Sequence, residues 1–303
     1  MIPEALHRAA ETLAIKNDLG RLSRIETLSG GANNKVFRLI CDRRPAILKS
    51  YFRDLGDKRD RLEAEYAFVN FARAHGLDCV AEPLGCDSAA GIAIYSVLPG
   101  RTMHEGDVTT ATVNQALDFL LCLNANRAAA DATRLGTGSE ACFSVDDHIA
   151  TVEHRLKRLT RIPGDDALDR DARRFVAGNL VPLWHRVSQR VIEGFLKSGL
   201  DPAQVLQTAE RCLSPSDFGF HNALLDEDGT VYFIDFEYAG WDDPAKVVGD
   251  FFNQVALPVP ATHRAAFTAA VTGLSPAPEI TRARIDLLMP VYGCKWICII
   301  LNE

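Results

Sequence analysis

LSPSDFGFHNALLDEDGTVYFIDFEYAGWDDP, residues 213–244, is the stretch around which the rest of the chain makes sense. Asp217, Asn222 and Asp235 stand in it in a fixed order, the first two in a turn-rich segment and the third at the end of the apolar run Val231-Tyr232-Phe233-Ile234. That run reads as a buried strand. Asp226-Glu227-Asp228-Gly229 just before it is a turn signal, so residues 223–225 and 231–234 are expected to pair as a hairpin that brings both ends of the segment together. A carboxylate base, an amide and a second carboxylate converging at one end of a hairpin suit proton acceptance and Mg2+ chelation during phosphoryl transfer.

Composition sets the frame for that chemistry. The chain has 303 residues, 47% of them hydrophobic and 24% charged, enough for two lobes with a sizeable core. No apolar run approaches the roughly 18 residues of a membrane span, and the first residues, MIPEALHRAAETLA, form an amphipathic helical pattern without a signal-peptide block, so a cytoplasmic location is expected. The eight cysteines are scattered, with no C-x-x-C pair, which predicts reduced thiols in the core. A net charge of −7 disfavours nucleic acid as a partner. Residues 1–97 hold 14 Lys+Arg and 13 Asp+Glu, and the remainder holds 19 and 27. The acidic remainder suits a cationic or metal-bound substrate, and equally an ordinary solvated surface.

Working outward to the N-terminus, a helix is expected over residues 3–15, then two strand-like runs, 25–28 and 36–40, joined by Ser29-Gly30-Gly31-Ala32-Asn33-Asn34-Lys35. Glycine without a Cβ and asparagine with its tolerance of left-handed conformations let such a loop bring main-chain N–H groups close to an anion. A Walker loop is excluded, because no G-K-[ST] follows. Residues 45–51 read as a third strand carrying Lys49. In the helix that follows, Leu62, Tyr66, Val69 and Ala72 recur at helical spacing, which places Glu65 inside the apolar arc. A carboxylate aimed into a core needs a partner, and Lys49 is the nearest. Two more strands, residues 79–84 and 92–98, complete a five-stranded antiparallel sheet with one inserted helix. The extended run into Pro99-Gly100 reads as a linker at about 96–100 whose free main-chain groups could meet an adenine edge, and the domain boundary is placed there, giving residues 1–97 and 98–303.

Beyond the linker the pattern is mainly helical. Helices are expected over residues 110–130, 145–159, 169–200 (one or two), 261–271 and 280–301, with Ser144 as an N-cap. His148, His154 and His185 lack metal-ligand spacing and read as ordinary core or surface histidines. The apolar end, Trp296 to Leu301, predicts a buried last helix or further residues beyond Glu303.

The order of these features resembles the aminoglycoside phosphotransferase and choline kinase family, small-molecule kinases with a protein-kinase-like fold. The likeness spans nearly the whole chain and is most specific at Asp217-x4-Asn222 and at Ile234-Asp235-Phe236-Glu237-Tyr238-Ala239-Gly240 with Asp243-Pro244. It implies an α+β, two-lobed fold, with the five-stranded sheet in the N-terminal lobe and a mainly helical C-terminal lobe carrying the catalytic hairpin. It further implies that Asp217 accepts or orients the proton of a substrate hydroxyl, and that Asn222 and Asp235 hold Mg2+ against ATP. Lys49, held by Glu65, would contact the α/β-phosphates. The loop of Gly30, Gly31, Asn33 and Asn34 would cover the nucleotide, and the main chain at Ser96 and Leu98 would receive adenine. Asp250 matches a structural acid of the family, and Glu237 is either an aid to a second metal or a surface acid. His221 reads as a loop-packing residue.

One position departs: the family commonly has an H-G-D-type run, whereas this chain has Pro215 in place of the histidine. The expected activity is ATP- and Mg-dependent phosphoryl transfer to a hydroxyl of a small metabolite, such as an amino alcohol, a sugar or an aminoglycoside-like compound. The alternative that Pro215 raises is a nucleotide-binding pseudokinase acting as a regulator. A protein kinase is disfavoured, because no A-P-E-like closure follows Asp235.

Overall fold

Alternation of apolar residues along the first strands builds one sheet around a short central strand. The structure is a computed structural model that describes residues 2–28, 34–52, 59–161, 164 and 166–302. In chain order its elements are α1 (Glu4–Lys16), β1 (Leu22–Leu28), β2 (Lys35–Cys41), β3 (Ala46–Ser50), α2 (Arg61–Ala74), β4 (Pro83–Asp87), β5 (Ile92–Tyr95) and β6 (Arg101–Thr102). Helices α3 (Thr110–Ala125), α4 (Val145–Leu159), α5 (Ala167–Phe175) and α6 (Val181–Lys197) follow. Then come β7 (Cys212–Ser214), β8 (Ala223–Leu225), β9 (Val231–Phe233) and β10 (Gly240–Asp242), and finally α7 (Pro244–Asn253), α8 (Arg264–Thr272) and α9 (Pro278–Ile300). None of the described helices is long and apolar enough to cross a membrane. All eight cysteines are free.

The chain divides into two compact units. The first comprises Met1–Met103, Asn126–Ser139 and Phe220–Gly240, and the second His104–Ala125, Glu140–Gly219 and Trp241–Glu303. In the first unit five strands pair antiparallel in the order β1-β2-β3-β5-β4. Leu39, Ala46, Leu48, Ile92 and Ile94 form one face of that sheet and pack against Ala10, Leu13 and Ala14 of α1. Because side chains alternate across a strand, Lys49 points to the opposite face, in register with Val36 of β2 and Ala93 of β5.

A second, three-stranded sheet of the same unit contains the expected hairpin: Ala223 pairs with Phe233 and Leu225 with Val231. Its turn is tied by Asp226, whose carboxylate accepts from Asp228 N–H at 3.0 Å and Thr230 N–H at 2.8 Å. Beside it, Gly100 has φ +96°, and a Cβ there would lie 2.6 Å from the Leu225 carbonyl, so the linker can approach β8 only as glycine. Cys79 and Val80 join this hairpin rather than the large sheet. The Phe233 N–H donates to the Cys79 carbonyl at 2.8 Å, which is why β4 begins only at Pro83.

In the second unit α9 packs against α4, α6, α7 and α8, with Ile285, Leu288, Val291, Tyr292 and Cys298 turned inward. A stack of rings, Phe218 on Phe251 at 5.1 Å and Phe251 on Phe267 at 4.7 Å, fills the space beside α7. The expected span 169–200 is two helices joined by a π turn at Val176–Leu180. Pro182 has no N–H to donate to the Gly178 carbonyl, so the regular ladder cannot continue across this point. Helix α4 matches its expected span and opens with the capping box of Ser144 and Asp147. Helix α3 stops at Ala125, five residues early. Near its end, the Asn124 side chain turns inward to bond both the N–H (2.8 Å) and the carbonyl (3.0 Å) of Leu213.

Buried charge ties the helices of this unit together. His148 lies between Tyr292 (2.6 Å) and Asp243 (2.9 Å), and Asp243 also accepts from Arg284 Nε at 2.6 Å. Burial alone would lower the His148 pKa, but the Cys142 thiol and the Asp243 carboxylate push it up to about 9. Burial would likewise raise Asp243, whereas Arg284 and His148 hold it at about 2. A histidine whose folded pKa exceeds its unfolded value stabilises fully below the unfolded pKa, near 6.5, and loses that contribution as pH rises through about 9. Urea unfolding should therefore show wild type losing up to about 3 kcal/mol between pH 6 and pH 9.5 from this group. The His148→Gln variant should lack that component, and equal pH slopes in the two proteins would contradict the assignment.

Candidate active site

The central strand carries the first functional group. Lys49 Nζ donates to Glu65 Oε2 at 2.6 Å and also bonds the Asp235 carboxylate. The Lys49 and Glu65 side chains are 9% and 7% exposed and that of Asp235 is 32% exposed, so the cluster is closed on the helix side and open at Asp235. Tyr51, just past the end of β3 and two residues beyond Lys49, donates to Glu65 at 2.9 Å and in turn accepts from Tyr95 at 2.7 Å. Burial alone would lower the Lys49 pKa, but Glu65 and Asp235 overcome it and raise it, so the ammonium stays charged. Burial pushes the Glu65 carboxyl up, opposed by Lys49.

Asn222 and Asp235 sit across the open end of the β8–β9 hairpin. The Ile234 N–H donates to the Asn222 carbonyl at 3.0 Å, continuing the ladder one step past Ala223 and Phe233. Asp235 follows with φ +66°, a left-handed conformation uncommon for a residue with a Cβ but one that aspartate tolerates better than most. Both residues are half-buried and offer oxygen ligands. Asp217 is also half-buried but belongs to the second unit, where it follows the buried run Ser214-Pro215-Ser216.

Other expected residues fall differently. Gly30, Gly31 and Asn33 lie outside the described residues. Asn34 is 6% exposed, its Nδ2 donating to Glu237 at 2.5 Å and its Oδ1 accepting from the Phe52 N–H at 3.0 Å. The Ser96 N–H and hydroxyl are both engaged with the main chain of Glu82, at 2.8 Å each. The main chain of Leu98 makes no hydrogen bond with any described residue.

Glu237 corrects the surface-acid alternative. It is 5% exposed and accepts from Arg61 Nη1 at 3.1 Å as well as from Asn34. Arg61, which sequence reasoning missed, opens α2 and also reaches the Tyr238 hydroxyl at 3.1 Å. One buried ion pair thus ties the segment after Asp235 to the start of the helix that carries Glu65. Asp250 matches its expected structural part, accepting from Lys295 at 2.8 Å and from Trp296 Nε1 at 2.9 Å. Lys246 also escaped the sequence reading, although acids four residues to either side, Asp242 and Asp250, were the signal.

Chemically, the first unit offers a fixed cation beside a carboxylate and an amide, a set suited to a metal-bound polyphosphate. Residues 24–283 match the sequence profile of the phosphotransferase enzyme family. No curated protein matches the chain. Among solved structures, the fold is similar to the Plasmodium vivax ethanolamine kinase Pv091845, with a TM-score of 0.63 and 13% identity over 100% of this chain and 84% of that one. It is also similar to a spectinomycin phosphotransferase in complex with ADP and spectinomycin, with a TM-score of 0.63 and 12% identity over 98% of each chain. A choline/ethanolamine kinase family protein from Mesorhizobium loti gives a TM-score of 0.57 and 20% identity over 99% of this chain and 95% of that one. At these identities the likeness establishes the protein-kinase-like fold.

Removing one member of a buried ion pair strands its partner. Lys49→Met should lower stability in urea unfolding by about 3–5 kcal/mol. The double variant Lys49→Met/Glu65→Leu should recover more than half of that loss, and a double variant as unstable as the single one would contradict the buried pairing.

Proposed function

The chain belongs to the phosphotransferase enzyme family, and we propose that it transfers the γ-phosphoryl group of ATP to a hydroxyl of a small metabolite. The observation that carries this reading is the buried Lys49 held between Glu65 and Asp235. A lysine in that setting is a fixed positive charge, and phosphoryl transfer is served more by positioning and charge neutralisation than by covalent help.

In this reading residues 1–97 bind the nucleotide, and residues 98–303 supply the base and the acceptor site. Lys49 grips the α/β-phosphates and Glu65 sets its direction. Adenine lies along the linker, where the main chain of Leu98 has hydrogen-bonding capacity to spare. The N–H of Ser96, already given to Glu82, plays no part in that contact. Asn34 acts indirectly, anchoring the end of the loop of Gly30, Gly31 and Asn33 to Glu237.

Asn222 and Asp235 would hold Mg2+, which supplies charge neutralisation on the phosphates. One amide and one carboxylate fit that ion, because Mg2+ keeps several waters and is commonly bound through one or two carboxylates plus substrate phosphates. Asp217 accepts the proton of the acceptor hydroxyl as its oxygen forms the new bond to phosphorus and ADP leaves. The acidic composition beyond residue 97 favours a cationic acceptor such as an amino alcohol or aminoglycoside-like compound.

The test is incubation with Mg-ATP and a panel of amino alcohols, sugars and aminoglycosides, following ADP by a coupled assay and phosphomonoester by phosphorus NMR. Asp217→Asn should lower turnover by about 10²–10⁴ on any accepted compound while leaving nucleotide affinity near wild type. Wild-type turnover by that variant, or no product from any compound, would overturn the reading.

A further inference from the structure

Asp217 is presented by a strained turn. Its N–H donates to the Pro215 carbonyl at 3.0 Å, closing a three-residue turn whose middle residue, Ser216, has φ +67°. A γ-turn of that hand is rare, and a serine is held at positive φ only against backbone strain. Glycine would adopt this backbone without strain, and the H-G-D-type run places glycine here. What serine adds is a hydroxyl.

That hydroxyl meets a buried cation. Lys246 Nζ donates to Ser216 Oγ at 3.1 Å, and Lys246 is 2% exposed. It lies 3.0 Å from Asp242 Oδ2, at the end of β10 just before α7, and 3.4 Å from Asp250 Oδ2, one turn further along α7. Both acids are themselves held in place. Asp242 accepts from the N–H groups of Asp243 (2.8 Å) and Cys142 (3.2 Å), and Asp250 accepts from Lys295 and Trp296. On its other side the turn is pinned by the Ser216 N–H, which donates to Ser214 Oγ at 2.9 Å, and by Leu213, which Asn124 grips through both main-chain groups. The ammonium is therefore immobile, and its third direction points at the residue next to Asp217.

We propose that Lys246 is a positioning residue for Asp217, clamping the strained turn through Ser216 Oγ so that the carboxylate keeps one direction. The proposal rests on the reading of Asp217 as the proton acceptor. Lys246 does not touch substrate; it acts only through the turn. The hydrogen bond to Lys246 offsets the backbone strain that serine carries here and glycine would not.

Two measurements on the full chain separate the clamp from the chemistry. Hydrogen exchange without any ligand reads the turn itself, and hydrolysis of Mg-ATP, with water as acceptor, reads the carboxylate. Ser216→Ala keeps the Cβ and loses only the hydroxyl. It should unfold near the wild-type temperature, exchange the amides of residues 213–219 other than Pro215 about tenfold faster, and lower kcat for hydrolysis about tenfold with KM for ATP unchanged. Lys246→Met should speed exchange and lower kcat in the same way, but with a clear loss of stability. Because it leaves Asp242 without its cation, while Asp250 keeps Lys295, and can fail to fold, Ser216→Ala decides the matter. Where Lys246→Met folds, adding Ser216→Ala to it should change nothing further.

Exchange of residues 213–219 at the wild-type rate in Ser216→Ala would overturn the clamp. Faster exchange with unchanged kcat would overturn the positioning role. Asp217→Asn, run in parallel, distinguishes the two readings: full hydrolysis by that variant refutes Asp217 as the base, while the exchange result still judges the clamp.

Discussion

A protonated amine cannot be left alone inside a protein, and the first unit is arranged around that constraint. Lys49 stands on the central strand of a five-stranded sheet, on the face opposite the apolar layer beneath α1, where taking its charge out of water costs several kcal/mol unless carboxylates meet it. Two do, and they come from different parts of the chain. Glu65 is delivered by the register of α2, and Asp235 by the β8–β9 hairpin followed by a left-handed residue. The ion pair of Arg61 with Glu237 closes the circuit, joining the start of α2 to the residue two beyond Asp235. Sheet, helix and hairpin are thus held in mutual register by buried charge.

The second unit obeys the same rule with a different product. Its buried carboxylates Asp242, Asp243 and Asp250 are each met by a basic group, Lys246, Arg284 or Lys295, with His148 completing the set. Such networks are weak evidence for stability, since well-packed apolar side chains often do as well. What an apolar core would not do is hold Ser216 at positive φ next to Asp217. Both units therefore concentrate buried charge where a side chain must point in one direction.

The parts legible in the sequence were those set by local rules. Glu65 could be paired with Lys49 because helical periodicity placed a carboxylate among apolar neighbours, and the hairpin could be read from Asp226 to Gly229 between two apolar runs. Helix α4 was legible from its cap. The parts that were not legible depend on contacts between distant residues or on backbone strain. Arg61 and Glu237 are 176 residues apart, so nothing local marked Glu237 as buried. The left-handed conformation of Ser216 is imposed by its surroundings, since serine does not favour it, and that of Asp235, although aspartate tolerates it, has no marker in the neighbouring residues. Pro215 departs from the H-G-D-type run, and no local rule could show that the residue after it is held by Lys246 and by Ser214.

The charge count at Lys49 gives the sharpest consequence. One ammonium between two carboxylates carries a net charge of about −1, which repels a bare nucleotide and attracts one that brings a divalent cation. Isothermal titration with ATP in the presence of Mg2+ and in the presence of a chelator tests this most directly. Measurable affinity with Mg2+, falling at least about tenfold both without the ion and in Asp235→Asn with it, is the predicted result. Equal affinity for ATP with and without Mg2+, unchanged by Asp235→Asn, would contradict the account.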